Sequence, residues 1–192
     1  MEQNTIYNSL QISSCDTLLV GGHSFLSKAI KFFEKYPYSH GALFHRITEA
    51  ETINGVIYQP GLYISEMVAK GLVLTNFQDY IDSGSDLMIL KPKFPVDPVI
   101  VWNHILPQLG KEKYGFFNLL VAQPVKYLTN YRIWLGDVDD NNPPRLICGE
   151  HVEREFNNYN NLLFPNWKRD APSDIYNSLL FTQYEYKREL IP

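Results

Sequence analysis

The stretch Arg145-Leu146-Ile147-Cys148-Gly149-Glu150-His151-Val152-Glu153-Arg154-Glu155-Phe156 decides how the chain is read. Pro143 and Pro144 stand just before it. From 149 to 156 the pattern is helical, with Val152 and Phe156 on one face and charged side chains on the other. Cys148 then falls at or just before the first turn, where backbone N–H groups lack partners and the helix dipole is positive. Both effects favour a thiolate, which is the nucleophilic form. Taken alone, Cys148 reads first as a small buried hydrophobe. A second stretch far upstream, Tyr36-Pro37-Tyr38-Ser39-His40-Gly41-Ala42-Leu43-Phe44, changes that reading.

A thiol nucleophile needs a base to take its proton, and the base needs a third group to orient it. His40 sits near the start of a predicted strand between the small residues Ser39 and Gly41, which leave room for a substrate beside the imidazole. Glu66 lies on a later strand among Tyr63, Ile64 and Met67, where a buried carboxylate needs a partner. Each has an ordinary alternative, a structural strand histidine and a glutamate pointing outward. Spacing alone does not bring Cys148, His40 and Glu66 together. Glu150 and Glu153 are expected to point away from the thiol and to complement the helix dipole.

The chain has 192 residues, 45% of them hydrophobic, which suits a single domain over 1–192 with a core of about 14–180. A net charge of -4 gives no reason to expect nucleic acid as a partner. The first residues lack a basic and an apolar segment, so no signal peptide is expected and a cytoplasmic protein is, with a phage- or virion-associated one as the exception. The longest apolar candidate, 116–128, is broken by Gln123, Pro124 and Lys126, so no transmembrane segment is expected. Two cysteines, Cys15 and Cys148, do not make a disulfide scaffold. Cys15, just before the first strand, is assigned a structural role. The oligomeric state is left open.

Element by element, 16–20 reads as a strand, Ser24 as the cap of a helix over 25–35, and 39–47 as a strand with Ala42 and Phe44 on one side and Leu43 on the other. Lys28, Lys31 and Lys35 stand off the apolar face of that helix as a solvated face, with a membrane surface as the second reading. A turn over 48–55 contains Asn54-Gly55, a hairpin signal. Strand pieces follow at 56–59, 62–68, 71–74 and 86–91, with a short helix at 76–81. Helices are expected at 98–109 and at 114–127, the latter interrupted at Pro124. A surface loop over 136–145, a polar loop over 157–161, a helical turn at 172–175 and a last strand at 181–186 complete the chain. Asp137-Val138-Asp139-Asp140-Asn141-Asn142 begins like a calcium loop but has Asn142 where a glycine belongs and Cys148 where the bidentate glutamate belongs. The five histidines, His23, His40, His45, His104 and His151, show no zinc spacing, and no metal or other cofactor is expected.

The order of these motifs carries more than any one of them. An opening strand, a helix leading into Tyr38-Ser39-His40-Gly41, then Ser65-Glu66-Met67, Tyr114, Cys148-Gly149-Glu150-His151-Val152 and Pro172-Ser173-Asp174-Ile175 resembles the permuted branch of the papain-like NlpC superfamily. That branch includes YiiX-like amidases and, more remotely, lecithin retinol acyltransferase. The likeness runs over roughly 14–180, and it departs from the family pattern at Gly149, Met67 and Gly115. It implies an α+β, permuted papain-like fold: an antiparallel sheet or small barrel carrying His40 and Glu66, packed against the Cys148 helix. It implies Cys148 as nucleophile, His40 as base and Glu66 as its orienting partner, with Tyr38 and Tyr114 at the substrate. The implied reaction is cleavage of a peptide or amide bond through a thioester, with acyl-lipid chemistry second. A non-catalytic binding or structural module on the same fold is the competing class.

Overall fold

Alternation of side chains along two neighbouring segments builds the centre of a sheet. Strand β3 (His40–Ile47) pairs antiparallel with β6 (Gly61–Val68), so that Ala42 faces Glu66 and Phe44 faces Ile64. The computed structural model describes residues 4–6, 9–115, 123–129, 145–160 and 172–186. Around the central pair stand β1 (Asn4–Ile6), β2 (Thr17–Gly21), β7 (Gly71–Asn76), β8 (Asp86–Pro92) and β11 (Phe181–Tyr186). Their order is β1-β11-β8-β2-β3-β6-β7, antiparallel throughout except for the parallel pair of β1 with β11. A separate hairpin joins β4 (Glu51–Ile53) to β5 (Val56–Tyr58) through Asn54 and Gly55, both at positive φ, 50° and 82°. The Asn-Gly signal thus marks a two-residue turn, and residues 51–53, expected as turn, are strand.

Each face of the sheet has its own core. On one side Leu19, Leu43, Met67 and Leu90 meet helix α3 (Pro98–Ile105), helix α5 (Cys148–Tyr159) and helix α6 (Pro172–Asn177) through Trp102, Ile105, Val152, Phe156 and Ile175. On the other, Leu18, Val20, Ala42, Phe44, Ile64 and Ile89 pack with Phe77 of helix α2 (Phe77–Asp82). The rings of Phe44 and Phe77 meet edge to face at 4.9 Å. Opposite-facing neighbours such as Leu43 and Phe44 therefore serve two different cores, as period-2 alternation requires. Burial of a side chain the size of Phe156 contributes about 2–3 kcal/mol.

Helix α1 (Phe25–Glu34) starts where the cap predicts: the Ser24 hydroxyl oxygen accepts the Ser27 N–H at 3.1 Å. Lys35 ends it in the left-handed conformation, φ 55°. Lys31, expected on a solvated face, instead donates from Nζ to the Gly22 carbonyl at 2.8 Å and ties the helix to the end of β2. Among the described residues, no helix is long and apolar enough to cross a membrane.

Two expectations about element bounds need correction. Lys113–Tyr114 is strand β9 rather than the start of a helix, and it pairs in parallel with β10 (Arg145–Leu146). Of the helix expected over 114–127, only α4 (Gln123–Leu128) lies within the described residues, and most of the expected 136–145 loop, with the calcium-like run, lies outside them. Helix α5 runs on through Tyr159, so most of the polar loop expected over 157–161 is helical, and its last residue, Asn161, lies outside the described residues.

The larger correction is that α5 has no solvated face over its first nine residues, because every side chain from Cys148 to Phe156 is buried. The charges are paired instead. Arg154 donates to both Glu112 oxygens at 2.5 and 3.0 Å and to Glu155 at 2.5 Å, and His104 of α3 meets Glu155 at 2.6 Å. His151, fully buried, meets the Ser65 hydroxyl of β6 at 3.1 Å. Pairing and hydrogen bonding are what allow such groups inside a core.

Candidate active site

The site forms where β3 begins and α5 begins. Ile147 caps α5, and its N–H donates to the Glu150 carboxylate at 2.9 Å. Glu150 thus folds back onto the helix start and complements the dipole there. Cys148 occupies the first helical position, 2% exposed, with its Sγ 4.0 Å from the Ser39 carbonyl oxygen. The next residue along, His40, opens β3. Beside it, at Gly41, the Val152 side chain of α5 and the Ile175 side chain of α6 pack onto the sheet.

His40 Nε2 lies 2.6 Å from Glu66 Oε2, and the His40 side chain keeps 19% of its surface. An ionised carboxylate only accepts, so Nε2 carries the hydrogen and Nδ1 is the ring nitrogen left for the thiol. The Cys148 sulfur stands close enough to the imidazole to act on its proton affinity. Burial pulls the His40 pKa down, but the Cys148 sulfur and the Glu66 carboxylate outweigh it and lift the imidazole to about 10. Burial pushes Glu66 up, but bonds from His40, Thr75 and Tyr80 hold its carboxyl below the ordinary range. The three residues singled out from the sequence are therefore brought together.

A cleft of about 390 Å³ opens in front of His40. Its walls include Ser24, Ser27, Ser39, Ser83 and Ser85, the Asp79 carboxylate, and the rings of Tyr80 and Tyr114. Cys148 is not in the wall itself but meets the carbonyl of Ser39, which is. Tyr114 is in that wall, and its hydroxyl is pushed up by burial and by the nearby Cys148 and Glu150. Tyr38 is not in the cleft wall. It is buried, its ring stacked on Tyr176 at 5.7 Å, and burial pushes its hydroxyl up to about 12.

Sequence reasoning missed Tyr80. Its hydroxyl donates to the same Glu66 oxygen at 2.6 Å, and its ring lies parallel to the imidazole, 4° apart in plane and 6.4 Å between centroids. The available signal was the spacing to Phe77. Three residues apart on α2, both point at the sheet, and one of them carries a hydroxyl. Cys15 stands apart from the site, buried, and burial with the neighbouring Asp16 pushes its thiol up to about 12.

No family model matches the chain, and no curated protein gives a significant match. Among solved structures, the fold is similar to that of the metalloprotein yiiX from Escherichia coli O157:H7, with a TM-score of 0.58 and 14% identity over 93% of this chain and 99% of that one. The chain has a YiiX-like α+β fold, an antiparallel sheet packed against helices. Among the described residues, no group of three or more His, Cys, Asp and Glu side chains is arranged to hold a metal.

Proposed function

We propose that the chain is a cysteine hydrolase of the permuted papain-like, NlpC type, cleaving an amide or peptide bond. The observation that carries this reading is the convergence of Cys148 and Glu66 on His40, which lines the cleft. The Cys148 thiolate attacks the carbonyl carbon, and the oxyanion that forms is met by the Cys148 N–H at the helix start. The His40 imidazolium gives its proton to the departing amine as the C–N bond breaks. The thioester left on Cys148 is then attacked by water. His40 takes the water proton, the C–S bond breaks, and a carboxylic acid leaves. Glu66 holds the ring so that Nδ1 faces sulfur throughout.

An amide or peptide stands first and a lipid acyl group second, and the cleft wall, which mixes serines and Asp79 with Val20, Ile30, Tyr80 and Tyr114, has polar and apolar surface for either. The neighbour yiiX is a metalloprotein. Among the described residues, no group of three or more His, Cys, Asp and Glu side chains is arranged to hold such an ion.

A thiol-directed acyl probe tests the reading. Labelling of the wild type that is lost in both Cys148→Ala and His40→Ala supports the enzyme. Labelling that persists unchanged in His40→Ala identifies a merely exposed thiol and a binding module. A mass-spectrometric screen of peptidoglycan fragments against N-acyl and ester lipids then separates amide from lipid substrates.

A further inference from the structure

Glu66 Oε2 takes two donors, His40 Nε2 and the Tyr80 hydroxyl, each at 2.6 Å. Tyr80 comes from α2, on the opposite face of the sheet from α5, and lines the cleft with His40. We propose that Tyr80 is a positioning residue of this site, which fixes Glu66 for His40 and weakens the carboxylate's pull on the imidazolium. The proposal rests on the reading of Cys148, His40 and Glu66 as the reacting group.

A phenol can donate to a carboxylate or accept from a cation. Burial and the adjacent Glu66 hold the Tyr80 proton on the oxygen, so it donates. A second donor on Oε2 spreads the carboxylate charge and lowers its basicity. Less negative charge then faces His40, whose pKa would otherwise lie still higher and make it a poorer acid toward a leaving amine. The Tyr80 ring runs parallel to the imidazole, 6.4 Å between centroids. The groups that bear on His40 are Glu66 of β6 with Cys148 and His151 of α5, and those that bear on Tyr80 include Glu66, Cys148 and the Asp79 of its own helix.

Tyr80→Phe keeps the ring and deletes the donor. Two readouts need no substrate: the pH titration of the His40 ring proton by NMR, and the rate of Cys148 alkylation by iodoacetamide against pH. The His40 titration is expected to shift upward by about half to one pH unit in Tyr80→Phe, the weight of one hydrogen bond. In a Glu66→Gln background the same substitution is expected to shift nothing. A purely structural Tyr80 would leave the titration in place, and that result, or a downward shift, overturns the proposal. Tyr80→Leu, which also removes the ring, is expected to give at least the same shift. Should alkylation be indifferent to His40→Ala, the reading of the reacting group fails and this inference with it. Should His40 matter while Tyr80→Phe is silent, only this inference fails.

Discussion

Ala42 stands directly across the β3–β6 pair from Glu66, and both are buried. His40 lies two residues before Ala42 on the same face, so His40 and Glu66 are diagonal neighbours. Diagonal positions on a sheet are about 7–8 Å apart at Cα, a gap that long side chains bridge. The methyl group of Ala42 leaves the space through which the Glu66 carboxylate leans toward the imidazole.

Ala42→Leu should therefore separate the pair without removing either member. Overpacking is expected to cost about 1–3 kcal/mol. The larger effect should be on the thiol: alkylation of Cys148 should fall toward the rate of His40→Ala. Circular dichroism and urea unfolding establish that the variant folds. Wild-type alkylation in a folded Ala42→Leu protein would show that the diagonal contact is dispensable.

His151 gives the protein an acid-sensitive side. Burial holds its pKa down at about 3, against an ordinary 6.5. The unfolded chain then binds a proton that the folded one refuses, so stability is full above pH 6.5 and falls as the pH drops toward 3. One such group gives a slope of about 1.4 kcal/mol per pH unit. His45, pulled down to about 4 by burial, adds in the same direction. Urea unfolding at steps between pH 4.5 and 6.5 should show this slope, reduced in His151→Gln. An equal slope in both proteins would contradict it.

Arg154 is the shared counter-charge of Glu112 and Glu155. Arg154→Met leaves the Glu112 carboxylate buried without its cation and Glu155 with His104 alone. A loss of about 3–5 kcal/mol is expected, as for other broken buried pairs. Adding Glu112→Gln should recover part of it. If the single variant loses less than the double, the pairing does not carry the stability of α5.

Cys15 and Cys148 should differ sharply as thiols. With its pKa pushed to about 12 and its side chain in the core, Cys15 is expected to resist iodoacetamide at pH 8 in the folded protein and to react after denaturation. Cys15→Ser should retain activity, at about 1–3 kcal/mol in stability for burying a hydroxyl. Two labelled thiols in the native protein, or a Cys15–Cys148 disulfide, would reverse this assignment.

The parts of the fold legible in the sequence are those where neighbours along the chain decide the outcome. Alternation from Ser39 to Ile47, the Ser24 cap and the Asn54-Gly55 turn act locally, and all three are found. His40 and Cys148 were legible because each sits in a motif. Glu66 was legible through the order of motifs. Tyr80 was not, because its role depends on which strand lies under α2. Nor does amphipathic patterning tell a solvated charge from a paired one: Glu155 and Arg154 have the sequence appearance of surface residues and are among the most enclosed groups in the protein. The two-residue strands β9 and β10 are too short to alternate, and their pairing spans a long stretch of chain.

Gly71, at φ 106°, lies where any Cβ would strike the Glu112 carbonyl oxygen, and the Gly110 N–H bonds to the neighbouring Leu72 carbonyl at 2.9 Å. The segment from Gly110 to Tyr114 is thereby pressed along the outer edge of β7. It delivers Glu112 to Arg154 in one direction and Tyr114 to the cleft in the other. A hydrogen atom in place of a side chain at one edge of the sheet thus governs both the anchorage of the thiol-bearing helix and one wall of the cleft. In a saturation mutagenesis scan this glycine should behave like a member of the reacting group, intolerant of every replacement, although it takes no part in the chemistry.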